Sequence, residues 1–107
     1  MNNIEQNALR IAELLGYKKV LDMYCKNGQS FHEHKIETFS SYNGLMDIVL
    51  ECNYVQDDLD IEIVIYGSGL DVHLDDEDIL ITTFDTKEGF IEALQLACIK
   101  YLELKNA

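Results

Sequence analysis

The stretch Leu59-Asp60-Ile61-Glu62-Ile63-Val64-Ile65-Tyr66-Gly67-Ser68-Gly69-Leu70-Asp71-Val72-His73-Leu74 decides the fold. Leu59, Ile61, Ile63 and Ile65 alternate with Asp58, Asp60, Glu62 and Val64, and Leu70, Val72 and Leu74 alternate with Asp71, His73 and Asp75. A period of two belongs to strands with one buried face. Gly67-Ser68-Gly69 between them has the chemistry of a hairpin turn. Paired residues of an antiparallel ladder share a face, so the register follows from the pattern. A two-residue loop, Gly67-Ser68 or Ser68-Gly69, sets Ile63 and Ile65 beside Leu70, Val72 and Leu74, whereas a simple three-residue loop sets isoleucines beside carboxylates. The even loop is expected. Ile79 to Phe84 is a third β-branched run. A turn over Asp75-Asp76-Glu77-Asp78, pairing Leu74 with Ile79 and Val72 with Ile81, gives it the same core face. The expected meander has one apolar side and one acidic side, with Val64, Tyr66, Leu80 and Phe84 opposite the core stripe, free for a covering helix or a dimer contact.

Outward from this stretch the period changes to helical. Upstream, Tyr42, Leu45, Met46, Val49 and Cys52 form one stripe behind the N-cap candidates Ser40 and Ser41, a helix ending near Asn53. Earlier still, Ile4, Ala8, Ile11, Ala12 and Leu15 recur at helical spacing, and Gly16 stands where a left-handed cap is expected. Downstream, Asp85 with Glu88 reads as an acidic capping box before the stripe Phe90, Leu94, Ala97, Cys98 and Tyr101, a helix running to about Leu104. Between Tyr17 and Phe39 the pattern is faint: Val20 to Tyr24 is a candidate strand and Lys26-Asn27-Gly28 a candidate turn. A three-stranded sheet cannot bury its apolar face alone, so helices must cover it. The expectation is one α+β domain over residues 1–107. Its order is helix, helix, three-stranded antiparallel meander, helix, with helices packed on the sheet as an αβα-type sandwich.

Composition agrees with one domain: 107 residues, 48% hydrophobic, no proline and no Gly/Ser linker. Twenty Asp and Glu against eight Lys and Arg give a formal net charge of -12, which makes nucleic acid and anionic membranes poor partners. Cys25, Cys52 and Cys98 are odd in number and form no CxxC pair, so a disulfide framework is not expected. The N-terminus lacks the basic stretch and apolar run of a secretion signal, and no segment has the length of a membrane span, so a cytoplasmic location is expected.

The functional candidate is the acid itself. Eleven of the 20 acidic residues fall between Asp57 and Glu88, where Lys87 is the one basic residue. Carboxylates arrayed on a rigid sheet imitate phosphates toward a basic protein surface. Like charges on neighbouring strands cost stability, although they also keep strand edges from aggregating. The expected partner-binding residues are Asp58, Asp60, Glu62, Asp71, Asp75, Asp76 and Asp78. His32-Glu33-His34 is a second candidate: an extended backbone puts both imidazoles on one side, within reach of one metal, with Cys25 or His73 as further ligands. No second ligand pair follows, so no bound metal and no cofactor is expected. Asp75-Asp76-Glu77-Asp78 lacks the alternating ligands and central glycine of a calcium loop. Ser40 and Ser41 are caps without a nucleophile elbow, and Cys52 and Cys98 lie on buried stripes, so no catalytic residue is expected.

Glu37-Thr38-Phe39-Ser40-Ser41-Tyr42-Asn43-Gly44-Leu45-Met46 and the closing Thr86-Lys87-Glu88-Gly89-Phe90-Ile91-Glu92-Ala93-Leu94-Gln95-Leu96-Ala97-Cys98 resemble the phage ABA sandwich domain. In that family a serine or threonine with a tyrosine precedes the second helix. An alanine-rich final helix is entered through an acidic residue, and the two flank a variable antiparallel sheet. The resemblance implies a bacteriophage or prophage product acting in the bacterial cytoplasm, with no catalytic residues to carry over. The expected function is a small non-enzymatic binding protein, monomer or homodimer, that engages a basic surface of a nucleic-acid-handling protein as a DNA-mimic or anti-defence inhibitor. The alternatives are an immunity protein against a basic toxin and a metal or small-ligand binder using His32 and His34.

Overall fold

Asn2 opens the first helix, because its side chain accepts the Glu5 N–H at 2.8 Å and so satisfies one of the donors a helix start leaves unpaired. The computed structural model describes residues 2–21, 23–26, 29–32, 37–55 and 59–107. Helix α1 (Asn3–Leu14) buries Ala8, Ile11 and Ala12. It ends as the sequence predicts: Gly16 takes φ +96° and lets the Tyr17 N–H reach back to the Ala12 carbonyl at 3.0 Å.

The segment with the faint pattern forms a sheet of its own, β1 (Lys18–Val20), β2 (Met23–Lys26) and β3 (Gln29–His32), antiparallel and in that order. The candidate strand Val20 to Tyr24 is thus two strands, broken where Leu21 adopts φ +58°. Tyr24 is its buried anchor, while Lys26 donates to the Leu15 carbonyl and holds β2 against the end of α1. Lys26 pairs with Gln29, which leaves two residues for the expected turn; Asn27 and Gly28 themselves lie outside the described residues.

A 3-10 turn (Glu37–Ser40) buries Phe39 and leads into α2 (Tyr42–Tyr54). Ser41 is the N-cap, accepting the Gly44 N–H at 3.4 Å. Gly44 is required by space: a Cβ there would lie 1.9 Å from the Thr38 carbonyl oxygen. Helix α2 buries Leu45, Ile48, Val49 and Cys52, but Tyr42, expected on that stripe, is 52% exposed with its ring 6.0 Å from that of Phe90.

The meander comprises β4 (Ile61–Tyr66), β5 (Gly69–Leu74) and β6 (Glu77–Thr83), in sequence order. Its first register is the expected one: Ile61 faces Leu74, Ile63 faces Val72 and Ile65 faces Leu70, across the two-residue loop Gly67-Ser68. The second register is not. Asp75 and Asp76 make the turn alone, both with positive φ (53° and 66°), so Glu77 and Asp78 belong to β6. An irregularity between Val72 and His73 then brings Leu80, not Ile81, opposite Val72. Leu80 packs on the core and Ile81 points outward, 63% exposed, the reverse of the expected assignment. Phe84, also expected opposite the core stripe, packs partly buried against it, its ring 4.9 Å from that of Phe90.

Helix α3 (Lys87–Lys105) is capped by Thr86, whose Oγ1 accepts the Gly89 N–H at 2.9 Å. The expected Asp85–Glu88 capping box is therefore displaced: Asp85 precedes the cap, and the residue whose N–H is capped is a glycine. Helix α2 packs on β4 and α3 on β5 and β6, covering one face of the meander, while α1 packs on α3 and the 3-10 turn. One apolar cluster unites them, from Ile11 through Leu45, Ile63 and Val72 to Leu94 and Tyr101. Gln95, fully buried within it, donates to the carbonyls of Ile4 (2.9 Å) and Phe39 (2.7 Å) and so ties α3 to both. The molecule is an α+β fold with an antiparallel meander flanked by helices.

Candidate functional site

Helices cover the isoleucine face of the meander, and the opposite face is open to solvent. Alternation fixes what stands there: Glu62, Val64 and Tyr66 from β4, Asp71 and His73 from β5, and Asp78, Ile81 and Thr83 from β6. The register arranges them in rows, Glu62–His73–Asp78 in one and Val64–Asp71–Ile81 in the next. One row is charged and its neighbour largely apolar.

Of the seven expected partner-binding residues, the fold gathers six. Glu62, Asp71 and Asp78 lie on the outer face. Asp60, Asp75 and Asp76 crowd the adjoining end of the sheet, where the Asp75 N–H donates to the Asp60 carbonyl at 2.9 Å and closes the hairpin end. Asp58 lies outside the described residues, as do His34 and the side chain of His32. Asp85 and Glu88, which belong to the same acidic stretch of sequence, are carried to the opposite end of the sheet. There the Phe84 N–H donates to the Ser68 carbonyl at 2.9 Å.

The ion pairs of arginine and lysine among the described residues lie elsewhere. Arg10 pairs with Glu13 (3.6 Å) and Glu103 (3.4 Å), and Lys105 with Glu51 (3.2 Å), all among the helices. Among the described residues no lysine or arginine stands within ion-pair distance of the six gathered acids. The side chain within reach is the imidazole of His73, whose Nε2 lies 2.8 Å from Asp78 Oδ1 and 3.7 Å from Asp71 Oδ2. The Tyr66 hydroxyl donates to Asp71 Oδ1 at 2.8 Å, which raises the phenol's pKa. Its ring lies across Gly69, where a Cβ would come within 2.6 Å.

Sequence reasoning misses the convergence of Asp71, His73 and Asp78, because a four-residue turn over residues 75–78 keeps Asp78 out of the strand that pairs it with His73. The signal was the Asp75-Asp76 pair: aspartate tolerates the left-handed region, so two in succession satisfy a two-residue hairpin turn. It also missed the groove between α2 and the free edge of β4. There Asn53 accepts from the Ile63 N–H and donates to its carbonyl, both at 2.8 Å, in the manner of a neighbouring strand. Met46, Leu50, Tyr54 and Ile65 line that groove of about 340 Å³.

Comparison with protein-family models, curated proteins and solved structures finds no match for this chain. No described helix is long and apolar enough to cross a membrane. The three thiols are free. Burial and then the nearby Glu51 push Cys52 up to about 11, and burial pushes Cys98 up to about 12, so neither supplies a nucleophile at neutral pH.

Proposed function

We propose that this protein is a non-enzymatic binding module whose meander presents a preformed anionic face to a basic protein surface. The observation that carries this reading is the segregation of charge: six carboxylates gathered on one face and end of the sheet with no lysine or arginine within ion-pair distance among the described residues, while Arg10 and Lys105 pair with acids on the helices. Acids that serve only solubility gain by interspersion with cations; a field of one sign steers an oppositely charged partner and speeds encounter. Ile81 (63% exposed) and Tyr66 (47% exposed) stand among the acids and supply the apolar contacts that hold a docked protein once charge has guided it in. A protein surface that handles nucleic acid has the complementary charge. The resemblance to the phage ABA sandwich domain extends the proposal to a phage or prophage inhibitor of such a protein.

The test compares the wild-type chain with a variant carrying Asp60→Asn, Glu62→Gln, Asp75→Asn, Asp76→Asn and Asp78→Asn as baits in bacterial lysate. Asparagine keeps the positive φ of the turn positions accessible, so the variant retains the fold. A protein held by the wild type at low salt, released at high salt and absent from the variant supports the reading. Recovery of the same proteins by both baits contradicts it.

A further inference from the structure

Asp71, His73 and Asp78 place three metal-binding side chains on one patch of rigid sheet, and we propose that they hold a single divalent transition-metal ion of the zinc class. This inference stands on the geometry of those residues and not on the docking role of the surrounding acids.

Asp71 and His73 are two residues apart on β5 and so share its outer face, and Asp78 is the cross-strand partner of His73 on β6. Each offers one ligand atom, and the three atoms lie within 4.8 Å of one another. Ligands held about 2.0–2.1 Å from a tetrahedral zinc are spaced roughly 3.3 Å apart. The distances from His73 Nε2, 2.8 Å to Asp78 Oδ1 and 3.7 Å to Asp71 Oδ2, bracket that spacing.

Two further observations point to a cation rather than to a plain ion pair. The first is that Nε2 of His73 is shielded from solvent and makes no hydrogen bond, despite the 2.8 Å approach of Asp78. The carboxylate sits off the axis along which the ring nitrogen donates a proton. A metal bound by both atoms also lies off the line joining them, on the ring axis, and satisfies the nitrogen lone pair and the carboxylate together. The second is the setting of Asp71. Tyr66 holds Oδ1 by a 2.8 Å hydrogen bond and leaves Oδ2 toward His73, the arrangement in which an outer hydroxyl orients a ligating carboxylate. Glu62, exposed on β4 directly opposite His73, is placed in the same row as a third carboxylate and fourth ligand. One imidazole with carboxylates favours zinc, manganese, cobalt or nickel over calcium and magnesium, which prefer oxygen alone. The net charge of -12 adds a general attraction for any cation, so selectivity and residue dependence decide the matter.

The experiment is a calorimetric titration of zinc into the chelator-stripped full chain, repeated with His73→Gln, Asp78→Asn and Tyr66→Phe, with cobalt as a spectroscopic substitute. The expected result is one ion per chain and a raised Tm. His73→Gln and Asp78→Asn each weaken binding at least 100-fold, and Tyr66→Phe weakens it about tenfold or more, as for an outer-shell partner. The cobalt complex should show visible bands without thiolate charge transfer, and a His32→Ala/His34→Ala variant should bind as wild type does. Unchanged binding in folded His73→Gln, a thiolate signature, or no binding by the wild type at micromolar zinc overturns the proposal. Circular dichroism of each metal-free variant establishes that it is folded, and Asp78→Asn serves should His73→Gln not fold.

Discussion

Asn53→Ala removes two of the hydrogen bonds that close the free edge of β4. Its amide makes two 2.8 Å hydrogen bonds to the peptide groups of Ile63, one donated and one accepted, and the neighbouring Cys52 thiol lies 3.7 Å from the Ile61 carbonyl. A hydrogen bond of this kind contributes about 0.5–1.5 kcal/mol net, so the pair is worth about 1–3 kcal/mol. Alanine returns about 0.5 kcal/mol through its better helix propensity near the end of α2. The net expected loss is about 0.5–2.5 kcal/mol, and at about 4–8 °C per kcal/mol for a domain of this size the Tm falls by about 2–20 °C. Urea unfolding followed by circular dichroism measures the loss, and its slope should stay the same because the exposed surface is unchanged. Hydrogen exchange gives a local readout: the Ile63 amide should lose protection while that of Val64, which faces β5, keeps it. An uncapped edge also invites strand pairing, so the variant should show more self-association by size-exclusion chromatography. Stability within 0.3 kcal/mol of wild type together with retained Ile63 protection would refute the edge-capping role.

Three other outcomes follow from the structure. Gly44→Ala, favourable by helix propensity, should instead destabilise by about 1–3 kcal/mol in urea unfolding, because the added Cβ meets the Thr38 carbonyl at 1.9 Å; a gain in stability would refute the close packing. At Asp76, with φ 66°, substitution by glycine should be nearly neutral and by valine should cost about 1–2 kcal/mol by the same assay; equal effects would contradict the two-residue turn. Burial raises Cys52 from its ordinary 9.0 to about 11 and Cys98 to about 12, and burial with donation to Glu51 raises Tyr101. Folded values above unfolded ones mean that this contribution is whole below pH 9 and is lost as pH rises toward 11, because only the unfolded chain sheds those protons. Tm should fall steadily from pH 9 to 11, and below that range a thiol reagent should modify half-exposed Cys25 well before Cys52 and Cys98. A flat Tm, or three thiols reacting together, would contradict the burial.

How far the chain could be read depended on how much one period dominated each segment. From Ile61 to Leu74 strict alternation and a two-glycine turn left one register that kept isoleucine away from carboxylate, and the pairing of Ile63 with Val72 follows directly. The next turn offered no glycine. Asp75 and Asp76 reach positive φ through the tolerance of a short polar side chain, and the irregularity at Val72/His73 breaks the count of two, so Ile81 and Leu80 exchanged faces. That exchange also hid Asp78 beside His73. The strands β1, β2 and β3 are three or four residues long, and Tyr24 is the one residue of β1 and β2 that is buried, too little to impose a pattern. Asn53 belonged to a helix by every local sign, and only the approach of β4 gives its amide a strand's role.

The central claim is that the meander's carboxylates bind a cationic protein surface. Its most direct measurement is the dissociation constant between the wild-type chain and the protein it captures, taken across a salt series and beside the variant neutralised at residues 60, 62, 75, 76 and 78. Affinity should fall steeply with ionic strength for the wild type, with DNA displacing the chain, while the variant binds weakly and shows little salt dependence. Equal affinities and equal salt slopes for the two chains would contradict it.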